Sequence, residues 1–526
     1  MELYSIRFVL FLIILFILYY SSNKIIKEKQ WIILLIGNLI FYSWTGYFNF
    51  VYILITGIST YLGALFCSQL SQKCKKEIKE KGLNKEEKKL LKAKVLSKKR
   101  VILYTTLLLN FGILGYLKYF NEILDWFKMP SFNNLILPLG ISFYTFQSIG
   151  YLLDVYNEKY IAERNIFKYF HFVSFFPQLI QGPINRFDML KETLYKSHSF
   201  DIDNIKKALF RIAFGMLKKY AIANTFADTI SYVLDSPTEE TPGMFIVMGI
   251  LLYSVQQYAD FSGGIDMVLG IAQLFGIKMA ENFRQPYFAT SLSDFWRRWH
   301  ISLGAWMRDY VFYPFALTKP MQNFSKIVAK HGGKHLGKTL PACVANILVF
   351  FLVGIWHGAQ IHYILWGLYN GIIIALSDLF SPIYDRIIGN KINKQNKFYY
   401  IIQIVLTFII VNIGWYFDRI EKYSDIILCF KNTIFKFSLK DFLVFFHTIL
   451  SGDNQTMGKV TFLGAIIAII FVFVSSIFKE NGKEIYSVIK SRNIIIRWSI
   501  YFIIIFLILF SFTYTTINGG FIYANF

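Results

Sequence analysis

The sequence predicts an all-α polytopic membrane protein: a bundle of about ten to twelve membrane helices, with re-entrant and interfacial pieces among them. Three observations predict it. Of the 526 residues, 55% are hydrophobic and 19% aromatic, and mean hydropathy is +0.44, far from the soluble average. Apolar runs long enough to cross a hydrocarbon core of ~30 Å recur along the whole chain. The cationic residues cluster between those runs.

Taken in order, the clear spans are 4–20, 31–48, 50–70, 101–120, 243–259, 341–356, 360–378, 398–417, 459–478 and 495–512. Less regular apolar stretches near 134–156, 166–184 and 205–234 add passes or re-entrant pieces. The chain divides into N-terminal helices (1–120), a core carrying the polar signals (121–397) and C-terminal helices (398–526). The first segment has a weak basic region and no small-residue cleavage site before Asn23, so it reads as a retained span, not a signal peptide.

A net charge of +22 invites a nucleic-acid reading, which its distribution excludes. Between Ser71 and Arg100 lie 13 Lys/Arg and four Glu, flanked by apolar spans. Further cationic loops run from Lys319 to Lys338, without an acid, and from Arg386 to Lys397. Short basic loops between spans mark the cytoplasmic face and attract anionic membrane lipid. With the 71–100 loop inside, three crossings place the N-terminus outside the cell. Cys67, Cys74, Cys343 and Cys429 have no metal or redox spacing. His331 and His335, in HGGKH, read as a solvated loop and no metal site is expected.

The most informative residue is His357, within VANILVFFLVGIWHGAQIHYILWGLYNGIIIAL. An ionisable side chain at that depth is costly, so it marks a functional site, the alternative being a hydrogen bond that ties helices together. Gly354 and Gly358 interrupt the run beside it. A second broken stretch, FFPQLIQGPINRF, sets Gln178 and Gln181 among aromatics. It is either a re-entrant segment lining a protein interior or a loop packed under the bundle.

Residues 291–314, SLSDFWRRWHISLGAWMRDYVFYP, read as one helix in the interface plane. Projection at 100° per residue puts Trp296, Trp299, Leu303, Trp306, Met307 and Tyr310 on one arc. Asp294, Arg297, Arg298, Arg308 and Asp309 fall on the other. His300 lies at the edge of the apolar arc, either facing inward or incidental to membrane anchoring. Asp260 and Asp266 are intramembrane carboxylates expected to form structural ion pairs, with Arg284, Arg297 and Arg298 as partners.

Together these strings resemble the membrane-bound O-acyltransferase (MBOAT) superfamily. They are GISFYTFQSIGYLLDVY, FFPQLIQGPINRF, QYADFSGGIDM, ENFRQPYFATSLSDFWRRWHISLGAWMRDYVFYP, GIWHGA and the terminal FIYANF. The branch they look like is the alginate O-acetylase one, which acts in bacterial polysaccharide acetylation. The likeness is dense from about 135 to 375 and resumes at the tail. Two strings depart from the family pattern: DFSGGIDM lacks the tyrosine usual after DFSG, and YPFAL stands where PLGG is usual.

The resemblance implies a bundle around a central tunnel in a bacterial cell membrane. It implies His357 as the essential histidine and His300 as the second characteristic polar residue. Gln178, Gln181, Trp296, Trp299, Arg297, Arg298 and Trp356 are the expected substrate-binding side chains. The donor would be a cytoplasmic thioester, acetyl-CoA, another acyl-CoA or another acyl thioester, with no tightly bound cofactor. An acyl group, most simply acetyl, would pass to a cell-surface glycan through an extracytoplasmic partner protein.

Imidazole suits that chemistry, because a hydroxyl attacking a thioester must lose its proton near neutral pH. His357 is expected as general base. His300 would position the thioester, stabilise the oxyanion or steer the acceptor. Two other readings remain. D-alanyl transfer to teichoic acid would use an acyl-carrier-protein donor. A proton-coupled transporter or flippase would also carry intramembrane His and Asp, but this chain shows no matching halves.

Overall fold

The computed structural model describes residues 5–132, 137–384, 386–387, 396–451 and 458–514. Among them every regular element is helical, and nine helices are long and apolar enough to cross a membrane. The terminal FIYANF and most of the third basic loop lie outside the described residues. Cα packing divides the chain into two compact units. One is Met1–Leu209 with Val268–Ala280, and the other is Phe210–Met267 with Glu281–Phe526.

In the first unit, α1 (Ile6–Ile26) is followed by α2 (Trp31–Ser43), α3 (Tyr47–Glu80) and α4 (Lys85–Trp126). The expected span over 31–48 is instead the 13-residue α2, about 20 Å of helix and short for a crossing, so the count of three crossings that put the N-terminus outside does not carry over. It stops at a turn where Gly46 takes φ +112, a conformation open to glycine. The expected basic loop over 71–100 is also corrected: α3 and α4 carry it as helix, leaving a break only around residues 81–84. Lys and Glu are good helix formers. Pairs Lys76–Glu80 and Lys81–Glu77 stitch the end of α3, and an Asn84–Glu87 capping box opens α4.

After α5 (Ile141–Tyr156) and α6 (Ile166–Ser174), the stretch FFPQLIQGPINRF holds α7 (Phe176–Gln181), a non-helical link and the first residue of α8 (Phe187–Leu194). Pro177 sits in the first turn of α7, where its missing N–H costs nothing. Asn38 on α2 bonds His171 at 2.9 Å and accepts the backbone N–H of Phe176 at 3.1 Å. That ties α2 to the α6–α7 break.

The second unit begins at Phe210, within α9 (Ile202–Met216), which runs through a π-helical stretch, Leu217–Asn224, into α10 (Thr225–Leu234). Most of α11 (Gly243–Leu274) packs there too. The π stretch turns Lys218 and Lys219 inward, each under 5% exposed. Lys218 meets Asp266 at 2.5 Å and Lys219 meets Asp260, while Arg211 holds Asp266 at 3.0 Å and Glu281 at 2.6 Å. The partners of Asp260 and Asp266 are therefore these cations, not the expected Arg284, Arg297 and Arg298. The charges pair across neighbouring helices, about 40–50 residues apart in sequence.

The expected single helix over 291–314 is broken. It comprises α12 (Leu292–Arg298), α13 (Ile301–Met307), a π turn over Arg308–Phe312 and α14 (Tyr313–Ala316). Arg298 leaves its expected wet face. It is buried against Asp294 and Glu480, both at 2.9 Å.

Next, α15 (Lys319–His357) and α16 (Ile361–Tyr384) form a hairpin. The expected loop over 319–338 is helical, kinked at Gly333 with φ 84 and ψ 171. His331 and His335 are exposed on it. The unit finishes with α17 (Lys397–Arg419), α18 (Tyr423–Phe435), α19 (Asp441–Ile449), α20 (Lys459–Glu480), α21 (Ile485–Lys490) and α22 (Ile494–Tyr514).

Candidate functional site

His357 is the last residue of α15, and Gly358 to Gln360 make the turn into α16. Two glycines let the helices touch. A Cβ on Gly354 would lie 2.5 Å from the carbonyl oxygen of Tyr363, and one on Gly367 would lie 2.3 Å from that of Phe350. The close crossing packs the His357 ring against Tyr363 and Trp366, with centroids 5.8 and 4.9 Å away. Gly354→Leu should therefore push the hairpin apart and displace the imidazole. The expected cost is ~1–3 kcal/mol or more from overpacking, read as a lower unfolding midpoint together with lost activity.

His300 occupies the break between α12 and α13. Its φ of 47 and ψ of 52 are left-handed, a conformation that strains a residue bearing a Cβ. The ring meets Phe261 edge-on at 4.9 Å and Trp356 at 6.0 Å, and Trp356 in turn meets His357 at 5.0 Å. Burial pushes the His300 imidazole down to about 3, so the ring is neutral at physiological pH.

Both histidines line one cavity of about 490 Å³. Trp296, Trp299, Leu303, Met307, Phe350 and Trp366 supply its aromatic and apolar wall, and Arg297, Arg308 and Asp378 its charged groups. Trp296 is fixed by a 3.0 Å bond from its indole N–H to Asn370. A largely aromatic cavity with two buried imidazoles suits proton transfer at a reacting carbonyl. Among the described residues no group of three or more His, Cys, Asp or Glu is placed to hold a metal ion.

The other sequence-derived candidates are placed differently. Trp356 stands between the two imidazoles without lining the cavity, and Arg298 is held in its ion pairs. Gln178 and Gln181 belong to the first unit, both buried. Gln178 accepts from Gln147 at 2.9 Å and from Asn185 at 3.1 Å. Asp260 and Asp266 are ion-paired with lysine. Sequence reasoning does not single out Trp366, Arg308 or Asn282 as site residues. Trp366 follows His357 within the same apolar run and is open to notice there, whereas Asn282 falls inside the string ENFRQPYF with nothing to mark its side chain for a role.

Residues 3–329 match the family described as MBOAT, membrane-bound O-acyltransferase family. The matched stretch includes His300 and ends ahead of His357. A probable alginate O-acetylase of Pseudomonas aeruginosa is 35% identical over 322 residues, covering 59% of this chain and 56% of that relative. The peptidoglycan O-acetyltransferase of Helicobacter pylori is 32% identical over 373 residues, 64% of this chain and 65% of its own length. The teichoic acid D-alanyltransferase of Bacillus subtilis is 28% identical over 293 residues, 54% and 69%. The chain thus spans a little over half the length of the alginate relatives that it matches.

Proposed function

The chain belongs to the membrane-bound O-acyltransferase family, and from that premise we propose that it transfers an acyl group, acetyl in the simplest case, from a cytoplasmic thioester toward hydroxyls of a cell-envelope glycan. The observation that carries the reading is the pair of buried histidines on one aromatic cavity. His357 acts as general base. It takes the hydroxyl proton as the new C–O bond forms and the C–S bond breaks, and returns it to the departing sulfur. His300 is the second polar anchor on the same chamber. Burial supports both roles, because excluded water cannot hydrolyse the thioester. The donor is acetyl-CoA or another acyl thioester. An extracytoplasmic partner relays the acyl group to the glycan.

The alginate and peptidoglycan relatives favour O-acetylation by their names. The teichoic acid relative supports a second reading, D-alanyl transfer, since the match covers more of its length than of theirs. Alkali-releasable acetate on surface glycans separates the two. A deletion strain is expected to lose that acetate and regain it when complemented with the wild-type gene. Unchanged acetate with lost surface D-alanine would replace the first reading by the second.

A further inference from the structure

Asn282 lies between α11 and α12 and is fully buried. Its side-chain oxygen accepts the backbone N–H of Ser302 at 3.0 Å and the Ser302 hydroxyl at 2.9 Å. Its backbone oxygen accepts the N–H of Ile301 at 3.0 Å. One residue therefore caps the first turn of α13 just where His300 is strained. A backbone N–H only donates, so the Asn282 amide is oriented with its oxygen, not its NH₂, toward α13. That same oxygen lies 3.3 Å from Nδ1 of His300. A ring nitrogen that faces an acceptor must carry the proton.

We propose that Asn282 is a positioning residue that holds His300 as its Nδ1–H tautomer, so that Nε2 offers a lone pair to the bound acceptor and not a proton to the carbonyl oxygen. This selects one of the three roles open to His300. A neutral ring protonated at Nδ1 cannot donate from Nε2 to an oxyanion. It can accept from a hydroxyl neighbouring the reacting one and so steer a polyhydroxy acceptor. What is accepted rests on the acyl-transfer reading above; the tautomer does not.

Two measurements test it. In wild-type protein labelled with ¹³C,¹⁵N-histidine and reconstituted in lipid, solid-state NMR at pH 7.5 reports which ring nitrogen is protonated. The His300 signal is assigned by its loss in His300→Gln. Protonated Nδ1 with bare Nε2 is expected; protonated Nε2, or an imidazolium, overturns the proposal. This readout needs no activity, so an absence of transfer would count against the acyl-transfer reading alone.

The second measurement is the pH profile of Asn282→Asp, which keeps the oxygen acceptor and adds a negative charge. Other charges on the surrounding elements are largely matched. Glu281 pairs with Arg211, Asp266 with Lys218, Asp260 with Lys219, Asp294 with Arg298 and Arg308 with Asp309; His357, Asp378, Tyr258, Arg284 and Arg297 are the others. The new carboxylate stabilises the imidazolium and raises the His300 pKa, so an acceptor role is lost as pH falls through the raised value. A ring returned to the ordinary histidine range is about nine-tenths or more protonated at pH 5 and neutral at pH 8. The ratio of the rate at pH 5 to that at pH 8 should therefore drop about tenfold or more relative to wild type. An unmoved profile, or a gain at low pH, is the signature of a donor and overturns the proposal. Should Asn282→Asp not fold, the wild-type tautomer decides.

Discussion

His357→Ala should reduce acyl transfer by about 10²–10⁴-fold, the usual contribution of a positioned acid–base group. The unfolding midpoint should move far less. The imidazole sits at the end of α15, not within it, and the Gly354–Gly367 crossing that closes the hairpin does not involve its side chain. What is lost is a ring packed against Trp356, Tyr363 and Trp366. The measurement is the initial rate of thioester consumption by purified, reconstituted protein, with the thermal midpoint taken on the same sample. A dead but folded variant assigns the imidazole to the chemistry. A folded variant with nearly normal turnover would make His357 a packing residue and would end the general-base mechanism.

Much of this site is legible in the sequence because polar groups are rare in long apolar runs. His357 announces itself by its surroundings; of the two glycines expected to interrupt the run, Gly358 follows the end of α15, whereas Gly354 stays helical and serves the crossing with Gly367. The long spans are legible for the same reason. The differences have common physical causes. Lysine-rich stretches read as loops although lysine and glutamate favour helix, so α3 and α4 continue through the basic segment. Projection over 291–314 assumes a helix without interruption, and the left-handed backbone at His300 breaks it. No sequence pattern signals that break, because Asn282, which caps the following turn, lies eighteen residues upstream. The lysine–aspartate pairs escape the sequence because they join separate helices, whereas helical periodicity reports neighbours three or four residues apart.

Those pairs support the second large prediction. Lys218 is buried between the rings of Phe214 and Tyr258, at 4.8 and 5.6 Å, and bonds Ser262 at 3.1 Å and Asp266 at 2.5 Å. Asp266→Leu would leave this ammonium without its counter-charge, which should cost ~3–5 kcal/mol. That is a large share of the ~5–15 kcal/mol that separates folded from unfolded states. Arg211 keeps Glu281 in that variant, so the loss falls on Lys218. Lys218→Met combined with Asp266→Leu removes both charges and should recover most of the stability, because an apolar pair of similar volume replaces a buried ion pair at little cost. Thermal unfolding of the two single variants and the double gives the coupling directly. Transfer activity of the double variant then separates structure from chemistry. Restored stability with normal transfer makes the network a brace for the π-helical stretch. Restored stability without transfer would mean that the buried charges act on the reaction itself, and the two-histidine mechanism would have to be enlarged to include them.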